Sequence, residues 1–433
     1  MNKNTKKVAF YTLGCKVNQY ETNAMIQQFI NKGYQLVDFN DIADIYVINT
    51  CTVTNMSDRK SRQMIKKVKQ LNPNSCVVAV GCYAQVAKKE LEKIKDIDII
   101  LGINEKNNIV NIIEEYKKEK LQQVTNVFNQ KEYLDFGIIK HTDKTRAVIK
   151  IQDGCDRFCS YCIIPYARGR VRSRKINIII DEIKQIVDSG IKEIIITGIH
   201  IASYGKDLLE NVRLIDLLEK INKIENLKRI RLGSLEPTLI DKQFVKRLCN
   251  LEKVCNHFHL SLQSGCNETL KRMNRKYSIE EFTESVKLLR NNIKDVNLTT
   301  DIIVGFPGET EQEFNKTYDY LRYIKFYKMH IFKYSQRKGT KASQMPDQVQ
   351  SSIKDKRSNL LINLSNENQK EYNKRYIGKE VDVLLEKQDG EYIKGHTSNY
   401  LQVKVTTNNL KLQDTIQRVK IIDIDELELT AVI

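Results

Sequence analysis

The chain has 433 residues, 41% of them apolar, and carries 71 Lys and Arg against 54 Asp and Glu, a formal charge of +17. That length exceeds one ordinary domain and implies two or three, each with enough apolar content for a core. No run of about eighteen uncharged apolar residues occurs, since even the Ile-rich span from Ile176 to His200 holds Asp181, Glu182, Lys184 and Lys192, so no membrane-spanning segment is expected.

The opening MNKNTKKVAF lacks the apolar core and cleavage site of a secretory leader, and the cytoplasm is the expected compartment. There, ten cysteines point to metal or redox chemistry before disulfides. From Lys7 to about Tyr116 strands alternate with helices: KVAFYTLG, VNQYETNAMIQQFINKG, IYVINT, SDRKSRQMIKKVKQ, CVVAVG, QVAKKELEKI and a short DIIL. This alternation predicts a parallel sheet covered by helices. Cys15, Cys51 and Cys82 each stand just beyond one of these strands, and loops at the carboxyl ends of parallel strands gather at one edge, so the three thiols are expected to meet. Cys76, Cys249, Cys255 and Cys266 read instead as small buried hydrophobes. The helix bearing Arg59, Lys60, Arg62, Lys66, Lys67 and Lys69 reads as an amphipathic surface helix, and the polar stretch from about Lys117 to Asp143 as a linker.

The alternation restarts near Thr145, with strands at AVIKI, EIIITG, RIRLGS, FHLSL, TTDIIVGF and MHIFKYS. Six β/α units imply a complete or open barrel with its chemistry at the strand C-terminal ends. Directly after the first of these strands lies GCDRFCSYC, where Cys155, Cys159 and Cys162 project from one short loop. Thiolates hold iron or zinc, and a structural zinc site normally takes four protein ligands. Three ligands to a 4Fe-4S cluster leave one iron open to a substrate or cofactor. A zinc knuckle completed from elsewhere is the competing reading. Dinucleotide-type glycine fingerprints and P-loops are absent from the sequence. Beyond a charged helical stretch from Ser351 to about Tyr376, the segments KEVDVLLE, EYIKGHT, YLQVKVTT and RVKIIDIDELELTAVI predict a small antiparallel β-barrel.

CxxxCxxC with Tyr161 before its last cysteine, at the top of the first barrel strand, resembles the radical S-adenosylmethionine (SAM) superfamily. Together with GCKVNQYE, NTCTVT, TGIHIASYG, LSLQSGC and DIIVGFPGET, and with two three-cysteine sites followed by a β-barrel, the chain resembles the radical SAM methylthiotransferase family over its whole length. The resemblance implies an α/β architecture of three domains: an N-terminal methylthiotransferase domain over 4–116, a radical SAM core forming a partial (β/α)6 barrel over 141–371, and a TRAM domain over 372–433. It implies two 4Fe-4S clusters, an auxiliary one on Cys15, Cys51 and Cys82 that carries sulfur and a radical-generating one on Cys155, Cys159 and Cys162 that binds SAM. The cofactor supplies the radical chemistry; the protein positions it.

Many radical SAM proteins carry Gly-Gly-Glu after the second strand, whereas Thr197-Gly198-Ile199-His200 stands here, keeping a glycine and losing the acid. Tyr161, Gly198, Ser234, Gln263 and Asp301 are the expected SAM contacts, and His200 and His330 read as structural. The run ARGRVRSRK places Arg168, Arg170, Arg172 and Arg174 beside the radical site, as expected for contacts to substrate phosphate or carboxylate. The implied partners are tRNA, a reducing electron donor and a sulfur source. From Tyr372 onward there are nine Lys and Arg against ten Asp and Glu, so RNA recognition by that tail would rest on a local patch or on shape. TLGCKVNQYE and HLSLQSGC are most similar to the branch that adds a methylthio group at carbon 2 of threonylcarbamoyladenosine, position 37 of tRNA, adjacent to the anticodon. Isopentenyl adenosine, a ribosomal-protein aspartate, and a non-catalytic zinc-containing RNA-binding protein are the alternatives.

Overall fold

The computed structural model describes residues 5–117, 119–137, 139, 145–210, 212–407 and 409–433. The expected domain limits at 4 and 141 lie outside these residues. The first unit is a six-stranded parallel sheet of β1 (Lys7–Thr12), β2 (Gln35–Leu36), β3 (Ile45–Thr50), β4 (Cys76–Gly81), β5 (Ile99–Leu101) and β6 (Leu121–Gln123), in the order β2-β1-β3-β4-β5-β6. β3 is buried along its whole length, because helices cover both faces of the sheet. On one face Tyr46, Ile48, Val77 and Ala79 pack with Ile65 and Val68 of helix Asn55–Leu71. On the other, Val47, Val78 and Val80 meet Met25 and Phe29 of helix Lys16–Asn31.

Two local expectations need correction. QVAKKELEKI forms two short helices, Cys82–Val86 and Lys88–Leu91, broken at Ala87 where φ is −120° and ψ 33°. The polar stretch after Lys117 is not merely a linker: its LQQ adds β6 to the sheet edge, with Leu121 packed on the core. Three residues are too short to show strand periodicity. Phe136 and Ile139 of the same stretch pack with Tyr20, Ala24, Val148 and Ile195, tying the first unit to the second.

The second unit has six parallel strands, β7 (Arg146–Asp153), β9 (Glu193–Gly198), β10 (Arg229–Leu232), β11 (His257–Gln263), β12 (Asn297–Val304) and β13 (Lys328–Lys333), with a short antiparallel β8 (Arg172–Ser173) at its edge. They form two sheets, β10-β9-β7-β8 and β11-β12-β13, joined by the bridges Ile230↔Val254 and Leu235↔Leu260. The result is an open barrel. Strand alternation sends Ile149, Ile151, Ile194, Ile196, Ile230 and Leu260 outward against helix residues such as Ile183, Leu218 and Phe282. It leaves polar residues, among them Lys150, Thr197, Arg231 and His259, on the inner face. Helix Lys16–Asn31 of the first unit lies against that inner face, through Tyr20 and Ala24 on Val148 and Ile195.

Helix Ser351–Lys374 lies along β13 and leads to a closed barrel of β14 (Glu380–Asp389), β15 (Tyr392–Thr397), β16 (Gln402–Thr406), β17 (Ile416–Asp425) and β18 (Glu428–Val432). Its neighbours are antiparallel except β16 and β18, which pair in parallel. Residue 372 falls within the last turn of that helix, and the first barrel strand opens at Glu380. It docks under the open barrel: Arg229 donates to the carbonyls of His396 and Asp382 at 2.9 and 2.8 Å, and Arg231 to those of Ser398 and Thr397 at 3.0 and 3.2 Å. Among the described residues no helix is long and apolar enough to cross a membrane.

A buried ionic junction joins the first two units. The Glu21 carboxylate accepts from Lys106 Nζ at 2.5 Å, Lys150 Nζ at 2.7 Å and Arg168 Nη1 at 2.7 Å, all four side chains being at most 1% exposed. Burial alone would raise the Glu21 pKa, but the charges of Arg168, Lys106 and Lys150 outweigh it and hold it well below its ordinary 4.5. Removing the acid leaves buried Lys106 without a carboxylate and Lys150 and Arg168 with Asp153 alone. Glu21→Gln is therefore expected to lower unfolding free energy by about 3 kcal/mol at pH 7, measured by urea denaturation. Because the folded pKa is depressed, the wild-type advantage is complete above about pH 4.5 and shrinks as pH falls through the lower folded value.

Candidate active site

Strands β1, β3 and β4 are adjacent in the sheet, about 4.8 Å apart, so their carboxyl ends deliver three loop cysteines to one place. Cys15 caps helix Lys16–Asn31, Cys51 follows β3, and Cys82 opens helix Cys82–Val86 after β4. Gly14 has φ of +100°, and a Cβ there would lie 2.8 Å from Cys51 Sγ, which accounts for the Gly-Cys pair in the sequence. Burial pushes the Cys51 thiol up to about 11, with Cys82 and Cys15 close enough to add to the shift.

The second trio projects from the loop after β7. Gly154, with φ of +72°, brings its backbone so near Arg170 that a Cβ would stand 1.8 Å from the Arg170 carbonyl oxygen. Cys155 Sγ accepts from the Arg157 backbone N–H at 3.5 Å, Cys159 Sγ accepts from Arg275 at 3.3 Å, and the Cys162 N–H donates to the Cys159 carbonyl at 2.9 Å. Burial, reinforced by the neighbouring cysteines, raises Cys155 to about 11 and Cys162 to about 12. Thiols this buried stay protonated unless a cation displaces the proton. Both trios are all-sulfur donor sets with cations just behind them, Arg168 and Lys106 near Cys82 and Arg275 at Cys159, which fits anionic iron–sulfur clusters. The two sites lie close together, because Ala167, in the helix Ile164–Arg168 that follows the second trio, packs with Cys82, Ile103 and Val127.

A cavity of about 580 Å³ occupies the lumen at the seam of the three units. Cys15, Gly198 and Ser234 share its wall, so two expected SAM contacts face a cysteine of the first trio. Tyr161, Gln263 and Asp301 stand elsewhere. Tyr161 packs edge-on against Phe306, their ring centroids 6.4 Å apart. Gln263 adopts φ of +72° at a bulge of β11 and is almost fully buried, while Asp301 Oδ2 lies 3.1 Å from His259 Nε2 on the inner face. Tyr400, from the third unit, forms the cavity floor. Its ring stacks on His396 at 4.6 Å and on His257 at 4.8 Å, and Arg231 lies over it at 4.6 Å.

The arginine run divides unexpectedly. Arg168 pairs with Glu21 and Asp153, Arg174 with Glu182 and Asp135, and Arg172 donates to the Arg168 carbonyl at 2.8 Å; all three are buried. They are committed to internal partners and hold the loop; Arg170, paired with Asp156 at 3.3 Å, is the one whose side chain is open to solvent, at 60% exposure. Sequence patterning cannot distinguish these cases, since alternate arginines look alike until their carboxylate partners, up to 147 residues away, are placed. It also missed Glu236 and Arg275. Glu236 contacts Arg157 of the cysteine loop, His200 Nε2 at 3.2 Å and Arg275 at 3.4 Å, and Arg275 in turn reaches Cys159. Burial pushes the Glu236 carboxyl up, but the hydrogen bond and charge of His200, with Arg275 and Arg157, hold it at about 2. His200 is bonded also to Ser203 Oγ at 2.7 Å.

Residues 149–321 match the radical SAM superfamily, and residues 7–102 match the uncharacterized protein family UPF0004. The threonylcarbamoyladenosine tRNA methylthiotransferase MtaB of Bacillus subtilis (strain 168) is 41% identical over 404 residues, covering 92% of this chain and 89% of that protein. The chain belongs to the radical SAM methylthiotransferases. The MtaB protein of Aquifex aeolicus (strain VF5) is 42% identical over 92% of this chain and 96% of its own length. The tRNA-2-methylthio-N(6)-dimethylallyladenosine synthase of Clostridium novyi (strain NT) is 36% identical, covering 90% of this chain and 89% of its own. Among solved structures, the radical SAM methyltransferase TsrM from Kitasatospora setae shares the fold, with a TM-score of 0.57 at 15% identity over 78% of this chain and 74% of that one. For this methylthiotransferase, Arg170→Ala is expected to weaken tRNA binding severalfold and to lower the slope of log Kd against log salt by about one contact. Arg168→Ala, by contrast, is expected to lower the unfolding midpoint, because it strips the Glu21 junction of a buried partner.

Proposed function

We propose that this methylthiotransferase converts N(6)-threonylcarbamoyladenosine at tRNA position 37, adjacent to the anticodon, to its 2-methylthio derivative. The observation that carries the reading is graded similarity. Relatives named for threonylcarbamoyladenosine match at 39–42% identity, and those named for dimethylallyladenosine at 34–36%. The proximity of the two tri-thiol sites, joined through Ala167 on Cys82, supports it, since sulfur insertion needs a sulfur-bearing centre and a radical-generating centre to act on one substrate.

In this reading Cys15, Cys51 and Cys82 hold the auxiliary 4Fe-4S cluster, and Cys155, Cys159 and Cys162 hold the cluster that binds SAM. When bound, these groups supply the sulfur, the electron that cleaves SAM and the resulting radical chemistry. The chain's own residues do the positioning. Arg275, braced by Glu236, directs a positive charge at Cys159, and Gly198 and Ser234 offer close backbone approach and a hydroxyl at the lumen wall. Arg168 fixes the cysteine loop to the first unit through Glu21. The division into 4–116, 141–371 and 372–433, a reducing electron donor, a sulfur source and a cytoplasmic setting belong to the same proposal. With its near-neutral tail, the third domain would engage RNA by shape more than by charge.

The assignment separates the two centres experimentally. Cys159→Ala is expected to abolish deoxyadenosine formation from SAM, whereas Cys51→Ala retains uncoupled SAM cleavage and yields no methylthio product. Reductive SAM cleavage by the Cys159 variant overturns these roles. Nucleoside mass spectrometry of tRNA from cells with and without the gene tests the substrate: loss of the 2-methylthio form of threonylcarbamoyladenosine alone is the expected result.

A further inference from the structure

The lumen cavity has an unusual chemical bias. Its wall includes Lys16, Lys328, Arg231 and four histidines, and neither Asp nor Glu. Arg231 is already satisfied by Glu193, at 2.7 and 3.3 Å, and by two carbonyls of the third domain. Lys16 and Lys328 make no hydrogen bond or ion pair among the described residues. Two ammonium groups without a direct carboxylate partner thus border one cavity that is open to solvent on one side, with Asp301 against His259 at its edge. Beside them on the inner face are His330 and His259, the latter engaged through Nδ1 with Thr299 Oγ1 at 3.0 Å and through Nε2 with Asp301 Oδ2 at 3.1 Å. Lys16 also directly follows Cys15, so whatever it holds lies next to the first cysteine trio.

We propose that this cavity is a carboxylate-recognition subsite, in which Lys16, aided by Lys328 and His330, receives the free carboxylate of the threonyl group. The inference rests on the substrate reading above and adds the residues that enforce it. A threonylcarbamoyl group ends in an acid; a dimethylallyl group is uncharged and apolar. Charge-assisted hydrogen bonds between an ammonium and a carboxylate are among the strongest polar contacts, and they gain weight where water is partly excluded. A dimethylallyl group in the same space would leave both ammonium groups without a partner. A pocket built around a polar group rejects an analogue lacking that group far more strongly than an apolar pocket rejects an added one. The volume lies within the range of small-ligand pockets.

The test uses the reconstituted holoenzyme and three anticodon stem-loops, bearing the threonylcarbamoyl acid, its carboxamide, or dimethylallyl at the modified adenosine. Wild-type enzyme is expected to prefer acid to carboxamide by at least about tenfold in kcat/KM. Lys16→Gln is expected to lose about ten- to a hundredfold on the acid and no more than about threefold on the carboxamide, with Lys16→Arg restoring most of the loss. Iron and sulfide content reports on the adjacent Cys15. If that content falls, the same comparison is made with Lys328→Gln and His330→Gln on β13, where selective loss on the acid again supports the subsite. Equal losses on acid and carboxamide, no preference in the wild type, or a defect confined to the KM for SAM overturns the proposal. Conversion of the dimethylallyl stem-loop alone refutes the substrate assignment itself, an outcome distinct from a wild type that converts the acid without needing Lys16.

Discussion

The structure depends on one carboxylate shared by three cations. Glu21 belongs to the first domain, Lys150 and Arg168 to the second, and Lys106 to the far side of the first. A buried network of this kind contributes little net stability relative to an apolar core of equal volume. What it fixes is geometry. Lys106 pairs with Glu21 within the first domain and Lys150 and Arg168 with Asp153 within the second, so the bonds from Glu21 to Lys150 and Arg168 are the ones that tie the two sheets together in this placement.

That placement matters because both cysteine trios hang from the elements it joins. Arg168 ends the helix that follows the second trio, and Ala167 beside it packs on Cys82 of the first. A second tie acts on the other flank: Arg337, beyond β13, reaches Asp58 at 2.6 Å and Thr52, next to Cys51. The two cysteine trios are thus braced by charge from both sides.

The sequence disclosed the strand and helix order, both cysteine trios and the open barrel because these rest on local periodicity and on short spacings. Gly14-Cys15 and Gly154-Cys155 were visible as pairs, although the reason for each glycine, a close approach by Cys51 in one case and by the Arg170 carbonyl in the other, is tertiary. The arginine run misled because a charge pattern names no partner: Arg168, Arg172 and Arg174 are internal, and Arg170 alone is free to meet solvent. Glu236 and Arg275 carried no signal at all, being single residues whose roles arise only where separate β/α units converge. LQQ was too short to read as a strand.

Tyr400 changes what the third domain means. Tyr400, with φ at +67°, lines the lumen cavity with its ring between two histidines and an arginine, on a loop whose backbone is gripped by β10. The C-terminal barrel is therefore masonry as well as any RNA-gripping attachment. A truncated enzyme lacking it would lose Tyr400, His396 and Gln402 from the cavity wall, so inactivity after such a deletion could not be equated with a failure to capture the nucleic acid.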